Sequence, residues 1–225
     1  MQNLILDIQA SFMQKRAYQT CSLILRSAAE MFDTRGYLGT SLQDVVAGTP
    51  VSKGALYFHF PTKADLAVAI LREQHTLWSD VVSQLRWQKR AILVLFELSF
   101  HVAELFRDDV IVRASARLAY EGAPVASSTP PLFDGWATVI EELLLEAVSQ
   151  GDARPETQAR PVAEFIVAAF AGCERISAAE NHRTDLSLRV RTMWDHLLPG
   201  LVPDDFLAEL GEFVHRVGCD HGVLN

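Results

Sequence analysis

The chain has 225 residues, 49% of them hydrophobic and 21% charged, enough to bury a real core and too apolar for intrinsic disorder. Twenty Lys and Arg against 28 Asp and Glu give a net charge of -8, so bulk composition does not point to nucleic acid. That average hides an asymmetry: residues 1–75 carry seven basic and six acidic groups, whereas the remainder carries 13 and 22, so a polyanion would be met by the first third.

Cys21, Cys173 and Cys219 lack CxxC spacing, which indicates neither a disulfide framework nor a zinc site and suits a reducing cytoplasm. The opening segment has no basic n-region and is interrupted by Asp7, so it does not read as a signal peptide. No apolar run reaches the length of a membrane span.

Apolar positions recur at spacings of three and four almost throughout, which predicts an all-α chain. A first helix is expected over 14–35, ending at Gly36. A short one follows over 42–47, with Thr40 and Gln43 at capping-box spacing, and another over 52–58. A long helix starts after Pro61 with Thr62 as N-cap and runs to about Trp87. Further helices are expected over 90–106, 110–120, 133–150, 159–180, 184–197 and 204–217, with an irregular Pro- and Ser-rich loop over 122–131. The organisation expected is an N-terminal extension (1–13), a three-helix DNA-binding domain (14–61) and a larger helical ligand-binding and dimerisation domain (62–225).

Two short helices separated by Gly48, Thr49 and Pro50 have the form of a helix-turn-helix. Val51, Ala55 and Leu56 can pack inward, leaving Ser52, Lys53, Gly54, Tyr57 and His59 outward. Lys53 suits a phosphate or a guanine edge, Ser52 and Tyr57 suit phosphate oxygens, and Gly54 permits close backbone approach. Lys63 adds a cation at the next helix start, and Lys15 with Arg16 form a basic arm. A small three-helix motif with a solvated charged face fits the same residues.

The run from Val51 to Phe60 (VSKGALYFHF), with Ala28, Ala29, Phe32, Gly36, Tyr37, Thr40, Ser41, Val45, Val46, Lys63 and Leu66, resembles the DNA-binding domain of tetracycline-repressor (TetR) family regulators. Val112 to Ala114, Arg117 to Ala119, Gly122, Pro124, Pro131 and Trp136 extend the likeness to the γ-butyrolactone autoregulator receptor branch. The resemblance implies a homodimeric repressor of a pseudo-palindromic operator, released by a small effector of γ-butyrolactone, butenolide or furan type. No catalytic activity, cofactor, metal or membrane partner is expected. Its candidate DNA contacts are Lys15, Arg16, Thr40, Ser41, Ser52, Lys53, Gly54, Ala55, Tyr57, His59 and Lys63. Its candidate effector contacts are Trp136, above all, with Trp78, Leu85, Phe96, Phe100, Leu118 and Phe165, while Ser99, Ser115 and Thr138 could orient a polar group.

One departure stands out: Pro50 occupies the place where the family usually has Gly before the recognition helix, and it cannot take a positive φ, which would shift that role to Gly48. Arg113 and Arg117 share a helix face and could pair with Glu97 or Glu104. Glu97, His101 and Glu104 have a spacing compatible with metal ligation but read as an ion-paired stripe. The helices over 159–180 and 184–197 are the expected dimer surface. Two rival functions fit the same residues: a pseudo-receptor answering to an antibiotic or biosynthetic intermediate, and a helical enzyme with a small apolar substrate.

Overall fold

The computed structural model describes residues 2–86, 89–123, 132–207 and 210, with side chains described from residue 15 onward except that of residue 16. Among the described residues the chain is helical and contains no strand: α1 (Gln2–Arg35), α2 (Leu42–Ala47), α3 (Lys53–His59), α4 (Lys63–Leu85), α5 (Ala91–Asp108), α6 (Val110–Tyr120), α7 (Leu132–Gln150), α8 (Ala159–Asn181) and α9 (Leu186–Leu201). No described helix is long and apolar enough to cross a membrane.

Local chemistry sets most of these ends. At α2 the N-cap is Ser41 rather than Thr40: its hydroxyl accepts from Asp44 N at 3.2 Å while Asp44 Oδ2 accepts from Ser41 N at 2.9 Å, a reciprocal capping box. Ser52 caps α3 by accepting from Ala55 N at 3.2 Å. Thr62 and Asp65 repeat the exchange at α4, at 3.0 and 3.1 Å. Two ends depart furthest from expectation. Residues 1–35 contain no Gly or Pro, so nothing starts a helix at Gln14, and the backbone is helical from Gln2. α9 runs through Pro199 to Leu201 instead of stopping at Leu197. Pro199 forgoes one ladder bond, but Arg154 N donates to Leu201 O at 2.9 Å and its guanidinium to Pro199 O at 3.3 Å, which satisfies carbonyls at that end. The helix expected over 204–217 is described only at 204–207 and 210, and most of the 122–131 loop lies outside the described residues, as do Trp87 and Cys219.

Packing divides the chain into two units, residues 1–75 with 110–129, and residues 76–109 with 130–225. The division cuts α4 after His75 and returns α6, expected within 62–225, to the first unit. The core of that unit joins Ile24, Ala28 and Phe32 of α1, Val45 of α2, Leu56 of α3, and Leu66 and Ile70 of α4 to Ala114 and Leu118 of α6. In the second unit α5, α7, α8 and α9 pack on one another around buried aromatic rings. Phe96 lies 5.0 Å from Phe100 and 5.8 Å from Trp194, and Phe106 lies 5.9 Å from Phe170, centroid to centroid.

Candidate functional site

In the first unit, α3 is seated by Leu56, which has no exposed surface, with Val51 and Ala55 half-buried beside it. The opposite side is open. Lys53 and Gly54 are exposed, as is Tyr57, and Lys53 Nζ stands 5.8 Å from the centroid of the Tyr57 ring. A Cβ added at Gly54 would meet nothing within 4 Å, so the backbone there is bare enough to lie against a ligand surface. Ser52 spends a lone pair on its cap and keeps its proton for donation. His59 is half-buried between Phe58 and Phe60, its ring edge-on to Phe58 at 5.3 Å. Phe58 is 83% exposed, a large apolar ring that the sequence reading does not place among the outward side chains.

The α2–α3 turn explains Pro50. Positive φ occurs, among the described residues, at Gly36, Gly122, Gly151, His182 and Arg183, so this turn needs none and Pro50 fits it. Gly48 has φ -86°, which corrects the expectation that it takes over the left-handed role. Its lack of a side chain serves packing instead, since a Cβ would stand 2.8 Å from Met31 Cε and 3.0 Å from Ser27 Oγ on α1.

Several expected DNA contacts turn inward. Thr40 is buried and its hydroxyl donates to Gly36 O at 2.9 Å, leaving it no surface to offer a phosphate. Lys63 Nζ donates to Tyr37 O at 2.7 Å and Thr40 O at 2.9 Å and sits 4.2 Å from the centroid of the Tyr37 ring, so it fastens the α1–α2 loop. Ser41 and Ala55 serve the caps described above. Lys15 is exposed on α1, and the Arg16 side chain lies outside the described residues.

The same loop is held from α6. Arg113 Nε donates to Asp33 Oδ2 at 2.8 Å, Arg117 donates to Asp33 O and to Glu121 Oε1, and Glu121 Oε2 accepts from Tyr37 N at 2.8 Å. Arg117, and secondarily the Tyr37 amide, hold the Glu121 carboxyl below its ordinary pKa. Arg113 and Arg117 thus pair with α1, and Arg117 also with its own helix end. Glu97 pairs with Lys89, and His101 lies 3.5 Å from Glu104. Gly36 is required here twice over: its φ is +73°, and a Cβ would collide with the Glu121 carboxylate.

The second unit contains an apolar cavity of about 30 Å³, walled by Trp78 of α4, by Leu95, Leu98, Ser99 and Val102 on one face of α5, by Trp136 and Ile140 of α7, by Ile166, Val167 and Phe170 of α8, and by Trp194 of α9. Trp78 and Trp136 stack, with centroids 5.2 Å apart and planes at 24°. Phe133 and Phe106 meet Trp136 edge-on at 5.8 and 6.3 Å. So small a space admits a larger ring only if these side chains move.

Of the expected effector contacts, the structure brings Trp136 and Trp78 together in this wall and disperses the others. Leu118 belongs to the core of the first unit, because α6 packs on α1. Phe165 is 58% exposed, on the side of α8 that faces away from the cavity. Phe96 and Phe100 are buried behind the wall, and Leu85 is buried elsewhere on α4. Of the polar candidates, Ser99 lines the cavity, Ser115 is buried in the first unit donating to Ile111 O at 2.7 Å, and Thr138 is exposed on α7. The wall residues missed on α5 fall at spacings of three, four and seven, a signal that marks a buried face without telling a cavity from solid core.

Residues 24–70 match the family described as bacterial regulatory proteins, tetR family, and residues 90–203 match the tetracyclin repressor-like C-terminal domain. The chain is 30% identical to the A-factor receptor protein of Streptomyces griseus over 88% of its own length and 69% of that protein's. Among solved structures, a gamma-butyrolactone receptor (ArpA-like protein) superposes with a TM-score of 0.79 at 33% identity, covering 91% of this chain and 99% of that one. CprB of Streptomyces coelicolor, in complex with its biological operator sequence, gives 0.81 at 34% identity, covering 90% and 98%. The exposed helix seated on a small capped core, the walled cavity and these matches together place the chain in the TetR family of bacterial transcriptional regulators.

Proposed function

We propose that the chain is a dimeric repressor that holds a pseudo-palindromic operator through α3 and lets it go when a small signalling molecule of the γ-butyrolactone type fills the Trp78–Trp136 cavity. Lys53, Ser52, Gly54, Tyr57 and Phe58 form the DNA-facing surface: Lys53 and the hydroxyls meet phosphate or base edges, and the Phe58 ring suits a thymine methyl or sugar. The likeness to an operator-bound CprB and to the A-factor receptor supports both halves of this reading.

The observation that carries it is one of connectivity. Trp78, a wall of the cavity, lies on the same helix as Lys63, which fastens the loop leading into α2. Likewise α5, which supplies four wall residues, passes through the single residue Asp109 into α6, whose arginines grip α1. A ligand that displaces Trp78 or the α5 face therefore acts on both helices that enter the DNA-binding unit. Release requires only that the ligand bind the non-DNA conformation better than the DNA-bound one.

Leu145, Phe165, Ile176 and Leu188 expose large apolar side chains on α7, α8 and α9, and a second copy of the chain is the occupant proposed for this surface. A two-fold pair would set two α3 helices in successive major grooves, about 34–36 Å apart.

The test is a gel-shift titration on DNA from upstream of the chain's own coding sequence, with and without a synthetic alkyl γ-butyrolactone. Binding at one palindromic site, reversed by the lactone, is expected. Sequence-specific binding that a set of lactones leaves untouched while an antibiotic reverses it would replace the effector class. Absence of any DNA binding would overturn the proposal.

A further inference from the structure

A second concave site lies in the second unit, and it differs from the Trp78–Trp136 cavity in being open and already formed. It is a groove of about 520 Å³ between the start of α8, with the turn before it, and the end of α9. That volume takes up a drug-sized molecule as it stands, whereas the cavity of about 30 Å³ takes one only by repacking. The apolar lining grades from buried Ile166 and Leu201, through half-buried Val162 and Leu197, to exposed Pro161 and Phe165. The polar groups along the groove are uncommitted. Glu156 is exposed and its carboxylate has no hydrogen bond or ion pair among the described residues. Gln158 is the N-cap of α8, but its side chain makes no capping bond. His196 is exposed, with Nδ1 at 2.8 Å from Thr192 O. A carbonyl only accepts, so Nδ1 carries the proton and Nε2 of the neutral ring is left as an acceptor. No lysine or arginine lines the groove.

We propose that this groove is a second small-molecule site and that it takes an amphiphilic amine. The protonated nitrogen pairs with the Glu156 carboxylate, with His196 Nε2 and the Gln158 carbonyl as further acceptors, and an aromatic ring or alkyl chain lies along Val162, Ile166, Leu197 and Leu201. An ammonium group carries three donors and no acceptor, which matches a rim made of acceptors. The ring or chain supplies most of the affinity by leaving water for an apolar surface. A ligand carboxylate would instead meet Glu156 with no cation in the lining to offset it, a like-charge contact that selects against anions. Phe165 also belongs to the face proposed above for a second copy of the chain, which makes that copy the rival occupant.

Three probes of one shape test the site on the full-length protein by titration calorimetry: phenylbutylamine, phenylbutanol and phenylbutanoate, each with its polar group at the free end of the chain. The amine is expected to bind about fivefold more tightly than the alcohol, the scale of one solvent-exposed ion pair, and the carboxylate more weakly than either. Glu156→Gln should bring the amine down to the alcohol and leave the alcohol unchanged. Gly200 lines the groove and a Cβ there would meet nothing within 4 Å, so Gly200→Phe puts a ring into the groove without displacing its neighbours. It should weaken amine and alcohol by at least about tenfold, whereas Trp136→Phe, in the closed cavity, should leave both unchanged. Amine binding that survives Gly200→Phe, or carboxylate affinity equal to the amine's, would overturn the proposal. Failure of all three probes to bind would overturn it too, and loss of the dimer in Gly200→Phe by sedimentation would then give the groove to the second copy.

Discussion

In the first unit, helix ends and loops are tied by directed polar contacts: Lys63 to two carbonyls, Glu121 to the Tyr37 amide, Arg113 to Asp33, and capping boxes at Ser41 and Thr62. In the second, helix ends are tied likewise, Arg90 to the buried Asp152 and Arg183 to Glu174, but the walls of the cavity meet through apolar surfaces and rings, with a buried hydroxyl–indole bond between Ser99 and Trp194. The contrast matches what each must do. A DNA-reading helix has to be presented in one orientation, which directional bonds with narrow geometry enforce. A cavity that admits a ring must repack, and contacts without preferred direction can be exchanged for ligand contacts at small net cost.

The contrast can be broken first where it is steepest. Trp194 has no exposed surface and anchors α9 to α5, so Trp194→Ala should cost about 3–5 kcal/mol in urea unfolding. A loss below about 1 kcal/mol would mean that the ring cluster is not what holds the second unit. Gly36→Ala imposes a left-handed alanine and pushes Glu121 off the Tyr37 amide, with an expected cost of about 1–3 kcal/mol and weaker operator binding, measured by unfolding and by fluorescence anisotropy. Ser41→Ala removes one half of the α2 capping box, for about 1 kcal/mol.

The smallest effect is one of pH. Arg117 and the Tyr37 amide hold Glu121 below its ordinary pKa, so the stability this carboxylate contributes is present above the usual glutamate range and is lost as pH falls through its lowered folded value. Glu121→Gln should therefore be less stable than the wild-type chain at neutral pH, and the two should converge in acid. Parallel curves across that range would show that the carboxylate contributes nothing.

Legibility in the sequence follows the same division. Features set by neighbouring residues could be read: α2 and α6 end where expected, Gly36 stops α1, Pro61 and Thr62 begin α4, and the outward side of α3 follows from Leu56. Features set by a distant partner could not. Leu118 is an expected effector contact because the family resemblance puts its helix around the pocket, but that helix meets α1. Phe165 lies on another side of α8 from Val167 and Phe170 and is exposed, and chain order alone does not say which side of that helix is covered. Lys63 reads as a phosphate contact because a cation at a helix start suits an anion, yet two carbonyls of the preceding loop reach it first. Trp78 and Trp136 were identified through family resemblance, and nothing in their spacing of 58 residues announces that their rings stack.

The most direct test of the account measures operator affinity and its reversal by an alkyl γ-butyrolactone in the wild-type chain, in Lys53→Ala and in Trp136→Phe, each checked for an intact fold. Lys53→Ala should weaken operator binding and lower the slope of log affinity against log salt by about one unit, with lactone affinity unchanged. Trp136→Phe should keep operator affinity within about twofold and require more lactone for release, since it alters the cavity wall and not the DNA-facing surface. Loss of operator binding in a folded Trp136→Phe, or undiminished binding and salt slope in Lys53→Ala, would contradict the division of reading and release between the two units.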